Sequence, residues 1–217
     1  DALPIGFNVT ADCRPEEHYM VNLSQRLSEI KKLVDSGKYF TINRARQYGK
    51  TTTLRSLNRF LQAEYYVVLI DFQTFGNAKF KSENTFSLAF AHSFLRALKR
   101  NALSDKSTFR EAIVGLEGYI NDRQKHFELK ELFEELSNIC DASNLPVVLL
   151  IDEVDSATNQ QVFIDFLAQL RACYIYRDIQ GTFQSVILAG VYDIKNLKDR
   201  INSDENSKTS SPWNIAA

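Results

Sequence analysis

The segment 42–54 places a glycine, a lysine and a threonine in immediate succession, at Gly49, Lys50 and Thr51. A loop of the form G-x-x-x-x-G-K-[ST] holds phosphates when it follows a strand and opens a helix. Gly49 permits the tight turn that directs backbone N–H groups toward phosphate oxygens, and the positive end of the helix adds its attraction. Lys50 would contact the β- and γ-phosphates, the Thr51 hydroxyl would be a ligand of Mg²⁺, and Thr52 would reach the α-phosphate. The segment therefore predicts a nucleotide site.

One position departs from that pattern, because Arg44 stands where the first glycine is expected. This makes the match less specific, and an accidental Gly-Lys-Thr is the alternative interpretation. The setting after an apolar strand and before a helical pattern favours phosphate binding. The candidate phosphate contacts are the successive residues Arg44, Ala45, Arg46, Gln47, Tyr48, Gly49, Lys50, Thr51 and Thr52.

A second apolar run, 147–152, ends in a pair of carboxylates, Asp152 and Glu153. A phosphate loop requires an acidic residue at the end of another strand to support the hydrated Mg²⁺. Asp152 is the candidate for that role, so the predicted metal ligands are Thr51 and Asp152. Glu153 would polarise the attacking water as general base, which makes Glu153 and Lys50 the candidate catalytic residues. A plain acidic turn at the end of a strand is the alternative.

Two further strand ends carry polar residues. In the P-loop branch whose acidic strand ends in Asp-Glu, the next strand often ends in a polar residue that senses the nucleotide. Tyr192 or Asp193, after the run 185–191, is the candidate sensor, and an ordinary turn after Gly190 is the alternative. Asp71 ends the run 66–71, where it either faces the same edge of the sheet or belongs to a turn.

These positions require strands and helices that bring them to one edge of a sheet. The apolar runs 39–43, 66–71, 147–152 and 185–191 are continuous, as is typical of parallel strands covered on both faces. Between them, apolar residues recur with helical spacing. They are Leu54, Leu57, Phe60 and Leu61; Phe86, Phe90, Phe94 and Leu98; Leu129, Leu132, Phe133, Leu136 and Ile139; and Val162, Phe163, Phe166, Leu167 and Leu170. Thr158 or Asn159 is the predicted cap of the last helix. The alternation predicts an α/β domain with a mainly parallel sheet.

The composition excludes several other classes of protein. The 217 residues carry 26 Lys and Arg against 27 Asp and Glu, so charge gives no support to nucleic acid as the main partner. No apolar run approaches the roughly 18–20 residues of a membrane span. Three scattered cysteines indicate a reducing cytoplasm and no disulfide framework. His18, His92 and His126 lack the spacing of zinc ligands, and Cys140 lies on an apolar helical stripe as a buried, inert thiol.

Together these residues resemble a family of bacterial AAA-like ATPase domains whose phosphate loop has the form Arg-Gln-aromatic/Met-Gly-Lys-Thr. The resemblance rests on the segments 15–21, 46–51, 69–73, 150–155 and 166–171, which are spread over nearly the whole chain. It implies an ASCE-type P-loop NTPase fold with a five-stranded sheet of order 5-1-4-3-2, ATP and Mg²⁺ as ligands, and a relation to signalling (STAND-like) ATPases. Relatives of this group dispense with the first glycine, which accounts for Arg44.

The resemblance also sets expectations for the ends of the chain. A single ATPase domain is expected over 1–217, without the helical lid and further C-terminal region of full-length relatives. The segment 202–211 is polar, and 212–217 would begin a further strand. The segment 14–19 holds the candidate adenine contacts. Arg171 is a candidate trans-acting arginine in a homo-oligomer, and a salt bridge with a nearby carboxylate is the favoured alternative.

The resulting prediction is Mg²⁺-dependent ATP binding with slow hydrolysis that drives a conformational switch. Two alternatives remain open. The first is a non-catalytic, nucleotide-gated scaffold that recruits a protein partner through a C-terminal region. The Asp152–Glu153 pair disfavours it, because a scaffold has no need of a general base. The second is an ATPase coupled to a nuclease or a DNA-acting partner, for which the balanced charge gives no support.

Overall fold

The computed structural model describes residues 24–43, 50–101, 107–122 and 126–190. Helices and strands succeed one another along these residues as α1 Ser24–Asp35, β1 Tyr39–Asn43, α2 Lys50–Leu61, β2 Tyr66–Asp71, α3 Glu83–Asn101, α4 Ser107–Asp122, α5 Leu129–Ala142, β3 Val147–Asp152, α6 Gln161–Ile175 and β4 Ser185–Gly190. Short 3-10 turns come after two of the strands. The Asp71 turn (Phe72–Thr74) comes directly after β2, and the Glu153 turn (Val154–Ala157) comes after β3.

The four described strands form one parallel sheet in the order β1-β4-β3-β2. β4 lies between β1 and β3, and its last residue, Gly190, lies opposite Asn43 at the end of β1. This order matches the last four positions of the expected 5-1-4-3-2, but the described sheet has four strands, not five. The segment 212–217, which was expected to begin a further strand, lies outside the described residues. Because all four strands run the same way, their carboxyl ends share one edge, called here the carboxyl edge.

Each strand sends alternate side chains into two separate cores, which explains why the runs are apolar throughout. Val147, Leu149 and Ile151 of β3 enter the larger core, which α3, α4, α5 and α6 complete. Val148 and Leu150 enter the smaller core, which α1 and α2 complete. Helices therefore cover both faces of the sheet, as the α/β prediction requires. No helix in the described ranges combines the length and apolarity needed to cross a bilayer.

The predicted helical stripes are confirmed in α3, α5 and α6, where every residue of the predicted stripe is buried. The stripe of α2 is wrong at one position, because the Phe60 side chain is 42% exposed. Leu54, Leu57 and Leu61 already follow the i, i+3, i+7 spacing of a buried face, which leaves Phe60 on its flank.

Two helices were not predicted from hydrophobic periodicity. α1 buries only Leu27, Ile30 and Val34 against the sheet. α4 carries a stripe of Phe109, Ile113, Leu116 and Ile120, but its two interior glycines weaken the helical signal.

The predicted cap of α6 is also wrong. The N-cap is Gln160, with no side-chain hydrogen bond, and not Thr158 or Asn159. The Thr158 hydroxyl instead donates to the Asp155 carbonyl at 2.9 Å, which closes the end of the Glu153 turn. The turn therefore uses the hydroxyl that was assigned to the helix.

Aromatic rings of the larger core pack against one another next to the carboxyl edge. The ring of Phe72, directly after β2, lies 4.8 Å from Phe75, 6.1 Å from Phe86 and 5.6 Å from Phe163, measured between ring centroids. Each such pair contributes about 0.5–1.5 kcal/mol beyond burial. The Ser156 hydroxyl also lies 3.5 Å from the Phe72 carbonyl oxygen. The Asp71 turn and the Glu153 turn are thus packed against each other.

Candidate functional site

The two predicted metal ligands meet at the carboxyl edge. The hydroxyl of Thr51, in the first turn of α2, donates a 3.2 Å hydrogen bond to Oδ2 of Asp152, the last residue of β3. Asp152 continues the alternation of Val148 and Leu150, so its side chain leaves the strand on the face that α2 covers. The two-residue period of β3 therefore directs the carboxylate toward Thr51.

Both oxygens of the Asp152 carboxylate accept hydrogen bonds. Oδ2 accepts from Thr51, and Oδ1 accepts from the backbone N–H of Glu153 at 2.8 Å. Asp152 is only 4% exposed, and a buried carboxylate is costly unless it is hydrogen-bonded or paired. These bonds hold it in place at the edge. A hydroxyl and a carboxylate are hard oxygen donors, and Mg²⁺ typically takes one or two protein carboxylates beside substrate phosphates, so the donor set fits this ion.

Glu153 adopts a left-handed backbone conformation, with φ 55° and ψ 40°. It is the one non-glycine residue of positive φ in the described part of the chain. An extended chain would return Val154 to the face of Asp152, yet Val154 is fully buried in the larger core on the opposite face. The left-handed residue makes this crossing possible. The left-handed conformation costs about 1–2 kcal/mol for an L-residue, and such conformations cluster at functional sites.

Asp71 lies at the carboxyl edge and also belongs to a turn. It pairs with Asp152 in the register of β2 and β3. Its Oδ1 accepts the backbone N–H of Gln73 at 2.8 Å, and its carbonyl accepts the Thr74 hydroxyl at 2.7 Å. Both interpretations of Asp71 therefore apply, and its carboxylate serves first to cap the Asp71 turn.

Of the other candidates for phosphate, sensor and adenine contacts, Lys50 and Thr52 lie within the described ranges and the rest lie outside them. Lys50 begins α2 and Thr52 follows Thr51 in its first turn, as the strand–loop–helix prediction requires. The loop residues 44–49, the candidate sensors Tyr192 and Asp193, and the adenine segment 14–19 lie outside the described residues.

Arg171 lies in the C-terminal half of α6 and is partly buried. One turn later, the ring of Tyr174 contacts that of Tyr39, the first residue of β1, with centroids 4.7 Å apart. This contact places the end of α6 at the amino edge of the sheet, away from the carboxyl edge of the same chain. The role of Arg171 in another subunit stays a prediction.

Other chemistries receive little support from the described residues. Burial raises the pKa of the Cys140 thiol and that of the Cys173 thiol. Little thiolate then forms at neutral pH, in agreement with an inert Cys140. Within the described ranges, no three His, Cys, Asp or Glu side chains converge as metal ligands would.

Asp155 and Gly190, for which the sequence predicts no role, lie together at the carboxyl edge. A Cβ on Gly190 would lie 3.0 Å from Oδ1 of Asp155 and 3.0 Å from Cγ2 of Val154. The only signal in the sequence was a glycine near the end of an apolar run, which a plain turn explains equally well.

Comparison with known proteins agrees with this geometry. A family model described as an AAA-like domain matches residues 16–195. A Walker-type ATPase of Pyrococcus abyssi has a similar fold, with a TM-score of 0.57, 14% sequence identity, and coverage of 97% of this chain and 55% of that chain. The chain thus spans about half of that structure. Among curated proteins, none matches significantly. The family match covers most of the chain and includes both Thr51 and Asp152, and the chain therefore belongs to the AAA-like domain family.

Proposed function

We propose that residues 1–217 form a single AAA-like ATPase domain that binds Mg²⁺ and ATP and hydrolyses the ATP slowly, driving a conformational switch. The observation that carries the proposal is the 3.2 Å hydrogen bond from Thr51 to Asp152, because it joins the end of the phosphate loop to the acidic strand. Membership of the AAA-like domain family and the structural similarity to a Walker-type ATPase support it.

Phosphate binding would come mainly from backbone N–H groups of the segment 46–51 and from the positive end of α2. The first turn of α2 contains no acidic residue, so no carboxylate of that turn opposes an anion. Lys50, the first residue of α2, would add its charge at the β- and γ-phosphates. Arg44, Ala45 and Thr52 would complete the contacts at either end of the loop.

Thr51 and Asp152 would hold Mg²⁺, which would offset the charge of the phosphates and orient them. The Thr51 hydroxyl has lone pairs that stay available while its proton points to Asp152. Glu153 follows directly and would accept a proton from the attacking water. Tyr192 or Asp193, shortly after β4, would sense the terminal phosphate.

The finer architecture belongs to the same proposal. A fifth strand beside β1 would give the order 5-1-4-3-2, and the segment 14–19 would contact the adenine. A further C-terminal region would carry the lid and recruit a protein partner, Arg171 would act across a homo-oligomer, and the protein would work in the cytoplasm.

The binding test compares two lysines on either side of β1. Lys50→Ala should abolish detectable binding of ATP, measured by calorimetric titration with Mg²⁺ present. Lys38→Ala is the matched control, because Lys38 is exposed and precedes the opposite end of the same strand. Unchanged affinity in Lys50→Ala would reject the nucleotide site.

The catalytic test uses Glu153→Gln, which should keep ATP affinity while stopping hydrolysis in single-turnover measurements. Glu111→Gln, on an exposed position of α4, is the control. If the unmodified chain binds ATP without turnover, the scaffold alternative replaces the enzyme. Salt-dependent DNA binding would instead favour the DNA-acting alternative.

A further inference from the structure

The Glu153 turn makes a close contact with β4, on the opposite face of the sheet from Thr51. The two carboxylate oxygens of Asp155 lie 3.0 and 3.1 Å from the position that a Cβ on Gly190 would occupy, and Cγ2 of Val154 lies 3.0 Å from it. Such separations are tighter than ordinary van der Waals contact. The Asp155 side chain therefore packs directly against the Cα of Gly190, the last residue of β4.

The lack of room for a side chain, and not the backbone conformation, explains the glycine at position 190. Among the described glycines, only Gly37 has a positive φ, so other residues could adopt the backbone conformation of Gly190. What they could not do is keep both Asp155 and Val154 where they are. Val154 is fully buried, which leaves the turn no room to retreat on that side.

The Glu153 turn is otherwise fixed by its own contacts. Val154 and Ala157 are fully buried, and the Ser156 hydroxyl donates to the Glu153 carbonyl at 2.9 Å. The residues on either side of Asp155 therefore hold its backbone in place.

Glu153 therefore lies between two contacts made on opposite faces of the sheet. On one face, Asp152 accepts the hydroxyl of Thr51 from α2. On the other, Asp155 packs on Gly190 of β4. We propose that Asp155 is a positioning residue, whose packing against Gly190 sets the distance between the end of β4 and Glu153. This inference rests on the proposed function, because it concerns the placement of the general base over the triphosphate.

The test is a double-mutant cycle of Gly190→Ala and Asp155→Ala, with thermodynamic and kinetic measurements on each variant. Each single change should lower single-turnover hydrolysis by about 10- to 100-fold, as expected for a misplaced catalytic group. The dissociation constant of a non-hydrolysable ATP analogue should change by less than about threefold. In the double variant, the methyl introduced at position 190 would fill space that the carboxylate has left, so the loss should be smaller than the product of the two single losses.

Three controls separate this role from a general loss of structure. Asp155→Asn keeps the size of the side chain and should retain most of the turnover. Gly115→Ala introduces a methyl that would have no atom within 4 Å apart from its chain neighbours and the backbone of its own helix, and Asp178→Ala removes an exposed carboxylate beyond α6. The last two variants should leave hydrolysis unchanged.

The outcomes distinguish the positioning role from the proposed function. Independent, multiplicative effects of the two substitutions, or full turnover in Asp155→Ala, would overturn the positioning role. A loss in Asp155→Asn equal to that in Asp155→Ala would also overturn it, since charge and not packing would then matter. Non-additive unfolding free energies in a chain that binds no ATP would confirm the contact and reject the proposed function instead.

Discussion

Thr51 and Asp152 are 101 positions apart in the chain, and a hydrogen bond of 3.2 Å joins them. The contact arises because the two-residue period of β3 and the helical period of α2 bring the two residues to the same edge of the sheet. The alternation along β3 sends Asp152 to the face of the smaller core, and α2 packs on that face through Leu54, Leu57 and Leu61. This packing places the first turn of α2 next to the end of β3.

Replacing Thr51 by valine should weaken both the fold and the binding of Mg²⁺ and ATP. Thr51→Val keeps the branched shape but removes the hydroxyl, so Oδ2 of Asp152 loses the Thr51 donor. We expect unfolding in urea without nucleotide to become easier by about 1 kcal/mol. ATP affinity should fall with Mg²⁺ present and change little in EDTA.

Thr51→Ser is the matched control, because it retains the hydroxyl and should behave like the unmodified chain in both measurements. Equal stability and equal Mg²⁺-dependent affinity in the serine and valine variants would show that the Thr51–Asp152 hydrogen bond has no energetic weight.

Glu153→Gly should stabilise the chain while removing hydrolysis. Glycine adopts the left-handed conformation without a Cβ clash, so the free energy of unfolding should rise by about 1 kcal/mol. Glu153→Ala provides the comparison, since alanine loses the carboxylate but keeps the strain at φ 55°. Both variants should lack turnover, and only glycine should gain stability. A glycine variant no more stable than the alanine variant would mean that the turn relaxes around any residue.

The sequence was sufficient for the features that depend on burial alone. The continuous apolar run 147–152 predicted a strand covered on both faces, and all six of its residues are buried. The order of the four described strands was expected only from the resemblance to AAA-like ATPase domains, and no periodic pattern gives it. The meeting of Thr51 with Asp152 was expected because parallel strands share one carboxyl edge.

Features that depend on how turns pack could not be obtained in this way. The left-handed conformation of Glu153 arises because Val154 enters the core opposite to Asp152, and no local pattern encodes that crossing. The contact of Asp155 with Gly190 joins a turn to a strand end through tertiary packing. The Thr158 hydroxyl could bond to the turn or to the helix, and it bonds to the Asp155 carbonyl of the turn.

Ser87→Ala should stabilise the chain. The Ser87 hydroxyl is buried in α3 and has no hydrogen-bond partner among the described residues. Alanine removes this unsatisfied group and is the better helix former, so the free energy of unfolding in urea should rise by about 1 kcal/mol.

Ser137→Ala is the matched control on α5, because the Ser137 hydroxyl donates to the Gly181 carbonyl at 2.7 Å. Its removal should lower the free energy of unfolding by about 1 kcal/mol. If Ser87→Ala were destabilising to the same extent as Ser137→Ala, the Ser87 hydroxyl would have to be hydrogen-bonded in solution, which would contradict the prediction.

Tyr65→Phe should change how stability depends on pH at both ends of the range. The Tyr65 hydroxyl donates to Oδ1 of Asp35 at 2.6 Å. Burial, and then this bond, raises the pKa of Tyr65 from 10.0 to about 12. The Lys31 ammonium, and then the same bond, lowers the pKa of the Asp35 carboxyl below its ordinary value of 3.8.

The signs of the two shifts fix the expected curves. A raised pKa for Tyr65 gives stability that is complete below pH 10 and is lost as the pH rises toward about 12. A lowered pKa for Asp35 gives stability that is present above about pH 4 and is lost as the pH falls through the folded value. Unfolding free energies of Tyr65→Phe should therefore vary less than those of the unmodified chain in both windows.

Tyr176→Phe is the control for this measurement, because Tyr176 is 55% exposed and should reproduce the unmodified curve. Parallel curves for Tyr65→Phe and the unmodified chain would mean that the hydroxyl of Tyr65 carries no proton linkage. The bond to Asp35 would then contribute equally at every pH, which contradicts the two opposite pKa shifts.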